Sequence, residues 1–240
     1  MSRHPYAGDG SHTSSYYAAS ANPAPARPKL QGDHEIDVCI VGAGYSGLST
    51  GLHLAEKGYK VAIIEGARVG WGASGRNGGQ IVNGLNASLQ TIKRRYGQDT
   101  ATFVAGLVQE GGKIIRERVR TYDIKCDLKE KNIFTGLTPA HMRELEERQK
   151  LWQSYGINNQ EMLDKDQLRA HINSDLYEGG LIDHSGGHMH PLNLALGEAA
   201  AFEKNGGTIY EMSPVTDVDH DAPRPVVRTA KGTMTCKTLV

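Results

Sequence analysis

"IDVCIVGAGYSGLSTGLHLAEKGYKVAIIEGAR", residues 36–68, decides the fold. Its first six residues are a short, continuous apolar run, the mark of a strand buried on both faces of a parallel sheet. A helical stretch follows with Leu48, Leu52 and Ala55 on one face, and Gly58 is placed to close it. "KVAIIE" at 60–65 reads as a second strand. The stretch therefore predicts a βαβ unit of about thirty residues.

Between the first strand and the helix, Gly42-Ala43-Gly44-Tyr45-Ser46-Gly47 fits G-x-G-x-x-G. A bare match is weak, but this one follows a buried strand, opens a helix, and has Glu65 at the end of the next strand. Gly42 suits the tight turn, Gly44 the approach of a pyrophosphate, and Gly47 close packing of helix on strand. The N–H groups and positive dipole at the helix start favour phosphate charge. Glu65 stands 18 residues after Gly47, where a carboxylate can accept from the ribose hydroxyls of an adenosine. The plainer alternative is a glycine-rich turn without a ligand. A carboxylate at this place disfavours a 2′-phosphate and so NADP, while NAD and FAD both remain.

"GASGRNGGQ", residues 72–80, is a second glycine-rich loop. A nicotinamide dehydrogenase would continue here with another regular α/β unit. The backbone around Ser74, Gly75, Arg76, Asn77, Gly78, Gly79 and Gln80 can instead lie against a flat ring or a diphosphate. Its N–H groups, hydroxyl and amide can meet the acceptor atoms of a flavin. From physics alone a surface Ω-loop is the competing reading.

The combination G-x-G-x-x-G, Glu65 and GASGRNGGQ resembles the FAD-dependent amine and amino-acid oxidases, the family of the D-amino-acid, glycine and sarcosine oxidases. "DHSGGHMHPLNLALGEAAAFEKNGGTIYEMSPVTDV" at 183–218 is similar to that family's return from the substrate domain to the FAD domain. Carried over by position, a backbone contact to the adenine falls at Val215. Similarity at "HTSSYYAASAN" (12–22), "EGGKIIRERV" (110–119) and "LIDHSGGHMHPLNLALGEA" (181–199) narrows the resemblance to a branch acting on primary amines.

The resemblance covers residues 12–240. It implies an α/β, Rossmann-like FAD-binding domain with an interleaved α+β substrate domain, truncated at the C-terminus. The expected division is an N-terminal mobile arm at 1–35, the FAD domain at 36–80 and 186–240, and the first part of the substrate domain at 81–185. The implied chemistry is hydride transfer from an amine-bearing carbon to FAD, hydrolysis of the imine to aldehyde and ammonia, and reoxidation by molecular oxygen with release of hydrogen peroxide. The amine must be neutral to lose hydride, which calls for a site that desolvates it or keeps a counter-carboxylate at a distance. The catalytic residues are unassigned and expected beyond Val240. Two further readings stay open: a same-fold enzyme for another amine or N-methyl amino acid, and a non-catalytic FAD-binding fragment.

Composition bounds these readings. Glycine is 29 of 240 residues, about 12% against a usual ~7%. The 27 basic and 27 acidic residues balance, so nothing suggests nucleic-acid binding. No apolar run reaches a membrane span, and the N-terminus lacks the layout of a secretory signal. Cys39, Cys126 and Cys236 are far apart and odd in number, which fits buried, reduced thiols in a cytoplasmic protein better than a disulfide framework.

Helices are predicted around 109–122, from Pro139 with Thr138 as cap, from Asp164 with Gln167 completing a capping box, and from Pro191 to Gly206. Short strands follow at "TIYE", "SPVTDV", "PVVRT" and "GTMTCKTLV". The chain ends at Val240 inside an apolar strand pattern, which predicts an N-terminal part of a longer protein. His184, His188, His190 and Asp183 have thinkable metal spacing, but the adjacent glycines suggest a turn between domains, and no metal is expected. "RERVR" at 116–120 reads as a solvated helix face, with a carboxylate-binding arginine pair as the alternative. Tyr16 and Tyr17 are candidates to anchor the N-terminal arm.

Overall fold

A computed structural model describes residues 10–240. In chain order the elements are α1 (Tyr16–Ala19), β1 (Gly32–Val41), α2 (Tyr45–Glu56), β2 (Val61–Ile64), β3 (Gln80–Ile81), α3 (Leu89–Tyr96), α4 (Gln98–Thr121), β4 (Lys129–Gly136) and α5 (Pro139–Gln153). They continue with β5 (Gln160–Asp164), α6 (Lys165–Arg169), β6 (Gly179–His188), α7 (Pro191–Lys204), β7 (Thr208–Tyr210), β8 (Val215–Asp219), β9 (Val226–Thr229) and β10 (Gly232–Leu239). The described chain divides into two compact units: 10–78 with Arg118–Cys126 and His190–Val240, and Gly79–Glu117 with Asp127–Met189. The boundaries thus fall at 78/79 and 189/190, and the end of α4 with the residues after it joins the first unit.

The first unit is built on a six-stranded sheet in the order β7-β2-β1-β10-β9-β8. Its four strands β7, β2, β1 and β10 are parallel, and β10, β9 and β8 form an antiparallel meander. All four β2 residues are buried, as a strand covered on both faces requires. Alternation sends Val38, Ile40, Val61 and Ile63 to one face, where they meet Leu48 and Leu52 of α2 and Phe202 of α7. Cys39, Ala62 and Ile64 face the other way, against Leu30, Val227 and Met234. Each such buried aliphatic side chain stabilises the fold by roughly 1.5–3 kcal/mol. Leu48, Leu52 and Ala55 line the buried face of α2, and Gly58 follows it at φ +81°. This is the predicted βαβ unit.

Residues 10–35 do not form the expected mobile arm. Arg27, buried, grips Glu203 through Nε and Nη2 at 2.8 Å each. The Leu30 N–H donates to Ser213 Oγ at 2.8 Å, and the Asn22 N–H to Asn193 Oδ1 at 2.7 Å. Tyr17 meets the His190 ring at 5.1 Å between centroids, with Tyr16 beside it at 6.4 Å. The composition of the segment suggested disorder because its few anchoring side chains are diluted among Ala, Ser and Pro. Expectations for residues 1–9 lie outside the described residues.

The second unit is organised on β6, which pairs antiparallel with β3, β4 and β5. Here "DHSGGH" is strand, not the expected turn. Its Gly187 is required by a neighbour, since a Cβ there would lie 2.4 Å from the Lys129 carbonyl oxygen. Leu89 and Ile92 of α3, Ala101 and Ala105 of α4, and Trp152 of α5 form one buried cluster. The predicted caps are present: Thr138 Oγ1 accepts from His141 N–H, and Asp164 and Gln167 form a reciprocal capping box. The helix expected at 109–122 is longer, Gln98–Thr121. Among the described residues no helix is long and apolar enough to cross a membrane.

Candidate functional site

At the end of β1 the chain turns on Gly42, whose φ of +104° is open to glycine and strained for other residues. Its N–H donates to the Ile64 carbonyl at 2.8 Å, which ties the turn to β2. Gly44 then serves as N-cap of α2 and, as glycine, brings no side chain of its own to cap the first turn. Gly47 lies on that turn, and a Cβ on it would stand 2.0 Å from the Gly42 carbonyl oxygen and 3.2 Å from Ile40 Cγ2. No side chain fits there, so helix and loop can close to this distance only on glycine. Ser46 is exposed on the same turn.

Glu65 is buried at 8% exposure. Its carboxylate accepts from the Ala43 N–H at 2.7 Å and the Ala67 N–H at 2.8 Å. The side chain therefore braces the first glycine loop, a task that its sequence position did not reveal. An ionised carboxylate has about four acceptor sites, so capacity for ribose hydroxyls remains.

The second glycine loop is docked onto the first. Gly70 donates to the Ala43 carbonyl at 2.9 Å, and Ser74 Oγ accepts from the Tyr45 N–H at 3.0 Å. Ser74 Oγ also lies 3.0 Å from where a Cβ of Gly44 would be. Gly75 is held by closeness, its notional Cβ being 2.2 Å from the Gly70 carbonyl oxygen. Arg76 folds back over the Trp71 ring, Cζ 4.4 Å from the centroid, and Nε donates to the Trp71 carbonyl at 2.8 Å. Asn77 Nδ2 donates to the Ser74 carbonyl at 2.9 Å and the Ala73 carbonyl at 3.2 Å. The hydroxyl and amide expected to face a flavin are thus engaged in shaping the loop, and the backbone of Gly78 carries no such crowding. Gly79 and Gln80 belong to the second unit, where Gly79 accepts from Met189 N–H at 2.8 Å and Gln80 pairs with His188.

The first unit thus brings together Gly42, Ala43, Gly44, Tyr45, Ser46, Gly47, Glu65, Ser74, Gly75, Arg76 and Asn77. Val215 opens β8 two residues after Ser213, whose N–H donates to the Glu65 carbonyl at 2.9 Å. Tyr45 donates its hydroxyl to the Pro191 carbonyl at 2.9 Å, and burial pushes its pKa up to about 12. Glu211 was overlooked as more than a strand end. It is buried, accepts from the Val69 N–H at 2.9 Å, and faces Arg27 at 3.4 Å and Arg68 at 3.6 Å. An acid closing the apolar strand "TIYE" was its signal in the sequence.

His190, His184 and Asp183 have partners of their own. His190 caps α7, its Nδ1 accepting from Asn193 N–H at 3.1 Å. His184 Nε2 lies 3.1 Å from Glu161, and Asp183 accepts from Ser185. His188 is exposed on β6. Among the described residues no three His, Cys, Asp or Glu stand together as metal ligands. "RERVR" is a solvated face only at Glu117 and Arg120, which are exposed. Arg118 is 6% exposed and bonds Glu198 at 2.9 Å and Ser49 Oγ at 2.8 Å, while Arg116 donates to the Ser185 and Gly186 carbonyls. The long α4 turns these arginines inward.

Residues 37–240 match the family described as FAD dependent oxidoreductase (DAO). The chain belongs to this family. FAD is accordingly its cofactor, as the second glycine loop led us to expect, and the glycine cradle just described fits a dinucleotide. The chain is 49% identical over 95% of its length to gamma-glutamylputrescine oxidoreductase of Escherichia coli (strain K12), of which it covers 54%. It resembles glycine oxidase from Geobacillus kaustophilus with a TM-score of 0.66 at 24% identity, over 86% of this chain and 54% of that one. It also resembles L-amino acid deaminase from Proteus myxofaciens with a TM-score of 0.76 at 18% identity, over 92% of this chain and 48% of that one. These two likenesses show the fold, and the chain spans about half the length of the relatives that it matches.

Proposed function

We propose that this chain belongs to a flavoenzyme that oxidises the primary amine of gamma-glutamylputrescine to an aldehyde, releasing ammonia and hydrogen peroxide. The observation that carries the reading is the 49% identity over 95% of the chain to the oxidoreductase of that name. The backbone of Gly42–Gly47 would hold the diphosphate of FAD at the start of α2, and Glu65 the adenosine ribose. Val215 would meet the adenine through its backbone, and the segment from Ser74 to Gln80 the flavin. When bound, FAD supplies a two-electron acceptor for the amine-bearing carbon and passes the electrons to oxygen.

The chain's part in this is positioning. Glu65 accepts from the Ala43 and Ala67 N–H groups and Ser74 from the Tyr45 N–H, which ties both glycine loops to the start of α2. The test is visible absorbance and amine-dependent peroxide release from the purified gene product that contains this chain. A yellow protein that releases peroxide with gamma-glutamylputrescine, and far less with free putrescine, is the expected result. A protein that binds no flavin, or that prefers free putrescine, overturns the proposal.

A further inference from the structure

The second unit carries a partly open pocket of about 450 Å³ between the 82–89 segment and helices α4 and α5, within the range of small-molecule sites. Leu85, Leu89, Val108, Leu151 and Trp152 give it an apolar wall, and Arg148 of α5 is the one charged residue on it. The Arg148 guanidinium lies over the Phe134 ring, Cζ 4.2 Å from the centroid. Its one hydrogen bond among the described residues is long, Nη2 to the Asn83 carbonyl at 3.4 Å. Its Nε is buried without a partner.

A guanidinium that is merely solvated keeps its N–H groups in water. This one is half-buried, and burial lowers its pKa from the usual value while the Asp183 charge acts the other way. Asp183 forms no ion pair with it. The oxygens of Asp183 are taken by the Ser185 N–H at 3.0 Å, the Ser185 hydroxyl at 2.7 Å and the Asn83 amide at 3.3 Å. The pocket wall therefore carries a partly desolvated cation, seated on the Phe134 ring and hydrogen-bonded only at long range through Nη2, with apolar surface around it. Arginine in such a setting is suited to a carboxylate, which takes two parallel N–H bonds.

We propose that this pocket seats the carboxylate of the ligand on Arg148, with the adjoining methylene chain along Leu85, Leu89 and Trp152. The proposal rests on the function proposed above, since a gamma-glutamyl amide carries its α-carboxylate at the end opposite the free amine. Arg148 is then a specificity residue that distinguishes the glutamylated amine from the bare diamine. Asn86, exposed on the same wall, offers an amide oxygen to the neighbouring α-ammonium group.

The test is calorimetric titration of the purified protein with three compounds: gamma-glutamylputrescine, its α-carboxamide, and gamma-glutamyl-n-butylamide, which keeps the carboxylate and has no distal amine. The carboxamide is expected to bind at least tenfold more weakly than the acid, and the butylamide nearly as well as the acid. Arg148→Gln should erase the difference between acid and carboxamide, with its circular dichroism spectrum retained. Leu85→Trp, at an exposed position on the wall, should weaken all three ligands.

Equal binding of acid and carboxamide by the unaltered protein overturns the proposal, whatever Arg148→Gln does to folding. So does full discrimination by a folded Arg148→Gln, or undiminished binding by Leu85→Trp. Because the butylamide cannot be oxidised at a distal amine, Arg148-dependent binding of it stands even if peroxide release fails. In that case the substrate reading falls and the carboxylate site remains.

Discussion

At Gly47 a methyl group would sit 2.0 Å from the Gly42 carbonyl oxygen, whereas at Gly78 it would meet nothing within 4 Å. The two glycines therefore separate a fold requirement from a ligand requirement. Gly47→Ala should lower stability by about 1–3 kcal/mol or more through overpacking, read as a shift in the urea midpoint. Gly78→Ala should stay within about 0.5 kcal/mol and weaken flavin retention, measured by absorbance after gel filtration. Unaltered flavin retention would remove Gly78 from the proposed contact. Glu65→Ala strands two buried N–H groups, those of Ala43 and Ala67, at about 1–3 kcal/mol each. It should lower the urea midpoint of the flavin-free protein as well as weaken FAD. A loss of FAD affinity at unchanged stability would contradict the bracing role.

Among the elements, α2, α4 and α7 meet at the Arg118–Glu198 pair, both partners buried and 2.9 Å apart. Burial raises the Glu198 pKa, and the Arg118 charge and hydrogen bond pull it back down. Glu198→Ala leaves a buried guanidinium without its counter-charge and should destabilise by about 3–5 kcal/mol, seen as a lower melting temperature. Replacing both together, Arg118→Met with Glu198→Leu, should recover much of that loss, because the desolvation cost goes with the charges. If the double variant is as unstable as Glu198→Ala, the pair does not act as a unit. None of this was legible in "RERVR". Four charges in five residues read as an exposed face, and only the packing of three helices turns Arg118 inward. The capping residues Thr138 and Asp164 were legible, since a cap acts within three residues of itself.

For the whole molecule, the three cysteines form no disulfide and are buried. Burial pushes the Cys39 thiol up to about 12, so at pH 8 only about one molecule in ten thousand carries its thiolate. Native protein should show no rapid reaction with a thiol reagent at pH 8, and three equivalents in denaturant. Prompt native labelling would contradict the sheet packing around Cys39 and Cys236. The sequence by itself determined the βαβ unit and the glycine turn that opens α2, because strand periodicity, helix caps and glycine spacing act over neighbouring residues, while its resemblance to the amine and amino-acid oxidases singled out FAD. Tertiary structure alone decided that Ser74 caps the turn it packs against, that Glu65 braces that turn, and that residues 10–35 are stitched down by Arg27 and Leu30. It also decided that Arg148 lines a pocket, seated on the Phe134 ring. These depend on which distant groups exclude water from one another, and burial of that kind is a property of the assembled fold, not of any window along the chain.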